Sequence, residues 1–129
     1  MQLLYEYTCQ ERAEILQNGI RFNCIGELDS LPSSLRTALD ELMTASADNS
    51  DMVLSLAVSY GGREEIIGAA QSLAARAVAG EIDPSDIDEA LLNDAMWTHD
   101  LPPDVDLVIR TGGELRVSNF LLWQIAYAE

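Results

Sequence analysis

Every basic side chain in this sequence is an arginine, and three of the seven fall in two short stretches that also hold paired glycines. These are Tyr60-Gly61-Gly62-Arg63 and Arg110-Thr111-Gly112-Gly113-Glu114-Leu115-Arg116-Val117-Ser118-Asn119. A guanidinium offers paired N–H donors to phosphate oxygens, a serine hydroxyl adds another, and glycines let the backbone approach an anion closely. The pattern places Arg110 at the C-terminal end of a strand and Arg116 and Ser118 just ahead of a helix N-terminus. Open α/β sheets bind ligands there, and the first N–H groups of the helix would complete a phosphate cup. The stretch is neither a Walker A loop, which needs Gly-Lys-Ser/Thr, nor a GxGxxG fingerprint. Spacing alone leaves two readings open: a phosphate cup, or arginines paired with the abundant carboxylates.

The rest of the inventory is sparse. His99, the only histidine, lies between Thr98 and Asp100 in a loop-like stretch with no helical metal partner, so it carries neither a triad nor a metal site. Cys9 and Cys24 have no metal-ligand spacing and read as small buried hydrophobes. With 22 acidic residues against 7 basic ones, the formal net charge is -15, which repels a nucleic-acid backbone and an anionic membrane surface. Screening over about 8 Å still lets two or three arginines decide the potential inside one cleft. No apolar run approaches a membrane span and the first residues lack a secretory pattern, so a cytoplasmic address is expected.

The elements that must position these residues alternate. Residues 2–18 read as a helix with Tyr5, Cys9, Ala13 and Leu16 inward, and Ile20, Phe22 and Cys24 as a strand. A helix opened by Ser30 and Pro32 carries Leu35, Leu39 and Leu42 on one face. Met52 to Val58 is a near-continuous apolar run, as in a strand covered on both faces. From Arg63 a helix turns Ile66, Ala70, Leu73 and Ala77 inward, and a further helical segment follows Asp83 and Pro84. Asp106 to Arg110 is expected as a third strand, and Ser118 as the N-cap of a final helix, apolar almost all round. This order specifies an α/β layer with a parallel sheet flanked by helices. Three strands are few for an open sheet, which points to a partner or to a longer chain.

The stretch from Asp104 to Glu114, followed by Arg116 to Gln124 and Ala126-Tyr127-Ala128-Glu129, closely resembles the C-terminal signature of the cis-prenyltransferases, the undecaprenyl diphosphate synthase or isoprenyl transferase family. Tyr60-Gly61-Gly62-Arg63-Glu64-Glu65-Ile66 resembles a second family motif, correctly separated from the first. Ser59 stands where the family usually has Asn. An Asp-Gly-Asn-x-x-Arg phosphate loop, a Ser-x-Glu-Asn-Trp segment and an Arg-containing tail, all family features, do not occur. The resemblance therefore implies that residues 1–129 are the C-terminal part of a single catalytic domain, with an undecaprenyl diphosphate synthase-like fold truncated at both ends.

That resemblance implies roles. Arg110, Arg116 and Ser118 would hold the diphosphate of isopentenyl diphosphate, with Val117 contributing backbone, and Glu129 would be a ligand to Mg²⁺. Glu114 would orient the arginines rather than act as a base, and a polyprenyl tunnel would run between the first helix and the sheet, with Leu3, Tyr7, Phe22 and Met52 as candidate lining. The reaction implied is condensation of isopentenyl diphosphate onto an allylic diphosphate such as farnesyl diphosphate, giving a cis-polyprenyl diphosphate, an undecaprenyl-type lipid carrier. No catalytic residue is expected in this segment, and the segment alone is expected to be inactive. A homodimer and peripheral membrane contact through the product are implied as well. The alternative is a non-catalytic partner subunit of a cis-prenyltransferase complex, which would be expected to lose the arginines retained here; a generic anion-binding α/β domain is the third reading.

Overall fold

Ile20, Phe22 and Cys24 alternate with Arg21 and Asn23, and this stretch forms β1 (Ile20–Ile25) in the computed structural model, which describes residues Met1 to Glu129. β2 (Met52–Ala57) pairs with it in parallel, Ile20 opposite Met52 and Ile25 opposite Ala57. The chain divides into two units, Met1–Ser59 and Tyr60–Glu129.

In the first unit, α1 (Gln2–Gln17) precedes β1, and α2 (Ser33–Ala45) makes the crossover between the strands. Leu35, Leu39 and Leu42 are each 1% exposed, as their three- and four-residue spacing predicts, and they pack with Ile15, Phe22, Cys24, Leu31 and Val58 into one core. Ser46, fully buried after α2, accepts a hydrogen bond from the Phe22 N–H at 2.9 Å and so ties the end of the helix to β1. Gly26 is required where the chain leaves β1, because a Cβ there would run into the Val58 carbonyl.

Three expectations in this unit need correction. The inward line of α1 runs through Leu4, Thr8 and Ile15, with Leu16 packed beside it as expected, whereas the expected Tyr5, Cys9 and Ala13 are exposed. Thr8 is tolerated there because its hydroxyl donates to the Leu4 carbonyl at 2.8 Å. Cys9 is exposed, whereas Cys24 is buried, and burial pushes its thiol up to about 11. Met52, Val53 and Leu54 are exposed rather than covered, since α1 and α2 pack against β1 and each other, leaving β2 at the open edge. Of the suggested tunnel residues, Phe22 belongs to the core, while Leu3, Tyr7 and Met52 face solvent.

In the second unit, α3 (Gly62–Val78) buries Glu65, Ala69 and Leu73, so Leu73 sits as expected, but the expected Ala70 is exposed. Asp83 and Asp86 form a reciprocal cap on a short 3-10 turn, and the Asp88 carboxylate caps α4 (Glu89–Ala95) through the Leu91 N–H at 2.8 Å.

The third strand and the final helix do not form. Asp106 to Arg110 has no strand beside it; its backbone bonds are one from the Val108 N–H to the Glu129 carbonyl and one from the Glu129 N–H to the Asp106 carbonyl. Ser118, Asn119 and Leu121 have φ values of 50°, 63° and 46°. Left-handed residues in what would be the first turn prevent helix nucleation, and the segment runs to its end as successive turns.

Candidate functional site

The arginine stretch closes on itself. Arg110 Nη1 donates to the Ser118 hydroxyl at 3.1 Å and to the Arg116 carbonyl at 2.5 Å. One oxygen of Glu114, Oε2, accepts from Arg110 Nη2 at 2.9 Å and from Arg116 Nε at 2.7 Å. Of the two readings left open by spacing, the pairing with a carboxylate is seen, and that carboxylate holds the two guanidiniums side by side. Arg116 keeps its two Nη groups free, and its side chain is 70% exposed.

These side chains line an open cavity of about 490 Å³ together with Val117 and the apolar Val108, Ile109, Leu115 and Phe120. The wall is thus cationic at one part and apolar at another, which suits a small amphiphilic anion. Gly112 and Gly113 lie at φ 93° and 74°, and no backbone N–H from Thr111 to Asn119 donates within the chain. Loop amides, rather than the expected helix N-terminus, are the backbone donors available beside Arg116 and Ser118.

The other expected residues sit as follows. Glu129 lies outside this cavity lining; its carboxyl-bearing residue is exposed, and its backbone is fixed to Asp106 and Val108. No group of three or more His, Cys, Asp or Glu side chains is arranged to hold a metal ion. A lone exposed carboxylate is a hard oxygen donor that fits an ion drawing most of its ligands from phosphate and water, and does not fit an all-protein cage. His99 places Nδ1 2.9 Å from the Met96 carbonyl and Nε2 3.4 Å from Asp100.

Periodicity missed a buried polar cluster next to this loop. Glu65, 2% exposed, accepts from the Thr98 N–H at 3.0 Å, the Thr98 hydroxyl at 2.9 Å, the Tyr60 hydroxyl at 2.5 Å and the Gln124 amide at 3.1 Å. Burial raises the Tyr60 phenol well above its usual range, and donation to Glu65 adds to the effect. The Tyr60 ring meets Trp97 and Phe120 edge-on, with centroids 5.9 and 5.8 Å apart. The signal that would have found the cluster is the Glu65 position itself, on the same helical line as Ala69 and Leu73.

Comparison with known proteins places the chain. The prenyltransferase family model described as undecaprenyl diphosphate synthase matches residues 1–129. An isoprenyl transferase of Heliobacterium mobile is 43% identical over 98% of this chain and 48% of its own length. The ditrans,polycis-undecaprenyl-diphosphate synthase ((2E,6E)-farnesyl-diphosphate specific) of Vibrio cholerae is 41% identical over 100% of this chain and 51% of its own. The crystal structure of lavandulyl diphosphate synthase from Lavandula x intermedia, in complex with dimethylallyl diphosphate, superposes with a TM-score of 0.96 at 37% identity, covering 100% of this chain and 56% of that one. The chain spans about half the length of the curated relatives it matches. No helix is long and apolar enough to cross a membrane. A family match that spans residues 1–129, with relatives above 40% identity along the same length, means that the chain belongs to the undecaprenyl diphosphate synthase family.

Proposed function

We propose that this chain is the part of a cis-prenyltransferase that binds isopentenyl diphosphate. The observation that carries the reading is the cavity in which Arg110, Arg116 and Ser118 adjoin Val108, Ile109 and Phe120. The guanidiniums and the hydroxyl would take the diphosphate, Val117 and the loop amides would add backbone contacts, and the apolar members would take the five-carbon chain. The fixed guanidiniums would offset the charge of the diphosphate held there and so orient the five-carbon chain for attack. The substrate's double bond would attack an allylic diphosphate such as farnesyl diphosphate, pyrophosphate would leave, and loss of a proton would give the cis product.

Glu129 would hold Mg²⁺, whose chemistry is neutralisation of diphosphate charge. A homodimer is the expected assembly, and the exposed Leu107 and Tyr127, outside the cavity, support cover by further protein. The partner-subunit reading is disfavoured by retention of both arginines and Ser118 in one hydrogen-bonded loop.

Binding and turnover should separate. Calorimetric titration of the 129-residue chain with isopentenyl diphosphate should show binding that Arg116→Ala weakens, while incubation with labelled isopentenyl diphosphate, farnesyl diphosphate and Mg²⁺ should leave no label in the organic extract. Absence of binding by the folded chain would overturn the site assignment. Extracted product would overturn the view that this chain holds one substrate site only.

A further inference from the structure

The Tyr60-Gly61-Gly62-Arg63 turn has so far been given no task, although its glycines and arginine suggest a second anion cup. Two of its main-chain donors are already used. The Gly62 N–H donates to the Asn119 carbonyl at 2.7 Å and the Arg63 N–H to Asn119 Oδ1 at 2.9 Å, while Asn119 Nδ2 donates to Glu64 Oε2 at 2.9 Å. One residue, following Ser118 directly, caps the start of α3 with its main chain and its side chain together.

The two glycines are what permit this approach. A Cβ on Gly61 would stand 2.8 Å from Asn119 Nδ2 and collide with the Glu64 carboxylate, and one on Gly62 would lie 2.9 Å from the Leu122 side chain and 3.2 Å from the Asn119 carbonyl. Gly61 has φ -144°, which any residue adopts, so its lack of a side chain is a matter of space. At the other end of the contact, Ser118 and Asn119 are successive left-handed residues, an arrangement that costs free energy for L side chains and persists only where surrounding bonds hold it. The bonds to Gly62, Arg63 and Glu64 supply that hold.

Resting on the diphosphate reading above, we propose that Asn119 is a positioning residue: by docking into the Gly61-Gly62 turn it fixes the backbone conformation that presents the Ser118 hydroxyl and the Arg116 carbonyl to Arg110, and so sets the geometry of the diphosphate site. The Tyr-Gly-Gly-Arg turn is then the socket of the arginine loop, its Gly62 and Arg63 N–H groups committed to Asn119.

The test is a coupling cycle on the full chain, read by calorimetric titration with inorganic pyrophosphate. Asn119→Gly accepts the positive φ and keeps the carbonyl bond from Gly62, losing only the side-chain bonds. It should weaken pyrophosphate about tenfold while the helical signal at 222 nm stays at the wild-type value. Gly61→Ala should weaken binding similarly by displacing Asn119 Nδ2, and the double variant should be no weaker than either single one, because both remove the same contact. Wild-type affinity in both single variants would overturn the inference and leave the diphosphate reading standing. Additive losses, or an affinity loss matched by lost helical signal, would also overturn it, by showing a general structural role. If the wild-type chain binds no pyrophosphate, the diphosphate reading fails and this inference with it.

Discussion

Gln124 donates to the Glu65 carboxylate at 3.1 Å across 59 residues of sequence, and both side chains are almost fully buried. The Gln124 amide also reaches the Thr98 hydroxyl at 2.7 Å, so three separated segments converge on one carboxylate with no cation beside it. A buried carboxylate is tolerable when neutral donors satisfy it fully, and here Tyr60, Thr98 and Gln124 do so.

Truncating that carboxylate should therefore cost more than removing any one donor. Glu65→Ala leaves buried donors of Tyr60, Thr98 and Gln124 unpaired and should destabilise the chain by at least about 3 kcal/mol, whereas Tyr60→Phe removes one donor and should cost about 1–3 kcal/mol. Phe keeps the ring contacts to Trp97 and Phe120. Urea unfolding followed by circular dichroism checks the order; equal losses would show that the hydrogen bonds around Glu65 contribute little.

What periodicity could read was the first unit. Leu35, Leu39 and Leu42 recur on one face because they have a layer to pack against, and the alternation in Ile20 to Ile25 matches a strand whose partner, β2, is in the chain. Asp106 to Arg110 has the same strand character, but a strand is defined by its neighbour, and none pairs with it. The apolar pattern from Phe120 onward likewise signals burial without fixing a helix, since Trp123 is drawn to Asn93 at 2.8 Å and Gln124 to Glu65. The site was legible in part: Arg110, Arg116, Val117 and Ser118 do line one cavity. Glu65 was legible only from its place on the line of Ala69 and Leu73, and Asn119 not at all, because a cap made across 56 residues leaves no mark in spacing.

The bond from Asn119 also has a titration signature. Glu64 is held below its ordinary value near 4.5, first by the Asn119 side-chain donor and then by its own backbone N–H. A carboxylate whose folded value is depressed stabilises the fold above the unfolded value and loses that contribution as pH falls through the folded one. In Asn119→Gly the Glu64 midpoint should return toward 4.5, while Asp83, lowered by Ser85, should stay where it is. Carboxyl ¹³C shifts followed from pH 7 to 2 measure both. A Glu64 midpoint unmoved by the substitution would contradict the bond.

Ser59 offers a stabilising change. Its φ of 50° places it in the left-handed region, its carbonyl accepts from the Glu27 N–H at 3.2 Å, and its hydroxyl touches Ser30 only at the surface. Asn adopts this conformation at lower cost than Ser, so Ser59→Asn should raise stability by about 0.5–1 kcal/mol and Ser59→Val should lower it. Thermal unfolding of the two variants should bracket the parent; a lower midpoint for Asn would show that the surface contact to Ser30 outweighs the backbone gain.

Arg110 and Arg116 should respond differently to truncation in the protein that carries the whole catalytic domain. Arg116 spends only Nε on Glu114 and keeps its Nη groups for a ligand, so Arg116→Ala removes charge-assisted donors whose net contribution is about 1.5–3 kcal/mol, which is roughly 10- to 150-fold in KM for isopentenyl diphosphate. Arg110 bonds Ser118, the Arg116 carbonyl and Glu114, so Arg110→Ala removes a cation and also releases the loop that positions the others. Its KM should rise at least as much, and Arg110→Lys, a point charge without the planar fork, should recover little of it. Steady-state kinetics at saturating allylic diphosphate give both numbers. If KM is unchanged in Arg110→Ala and Arg116→Ala with the fold intact, these arginines are surface partners of Glu114 and nothing more.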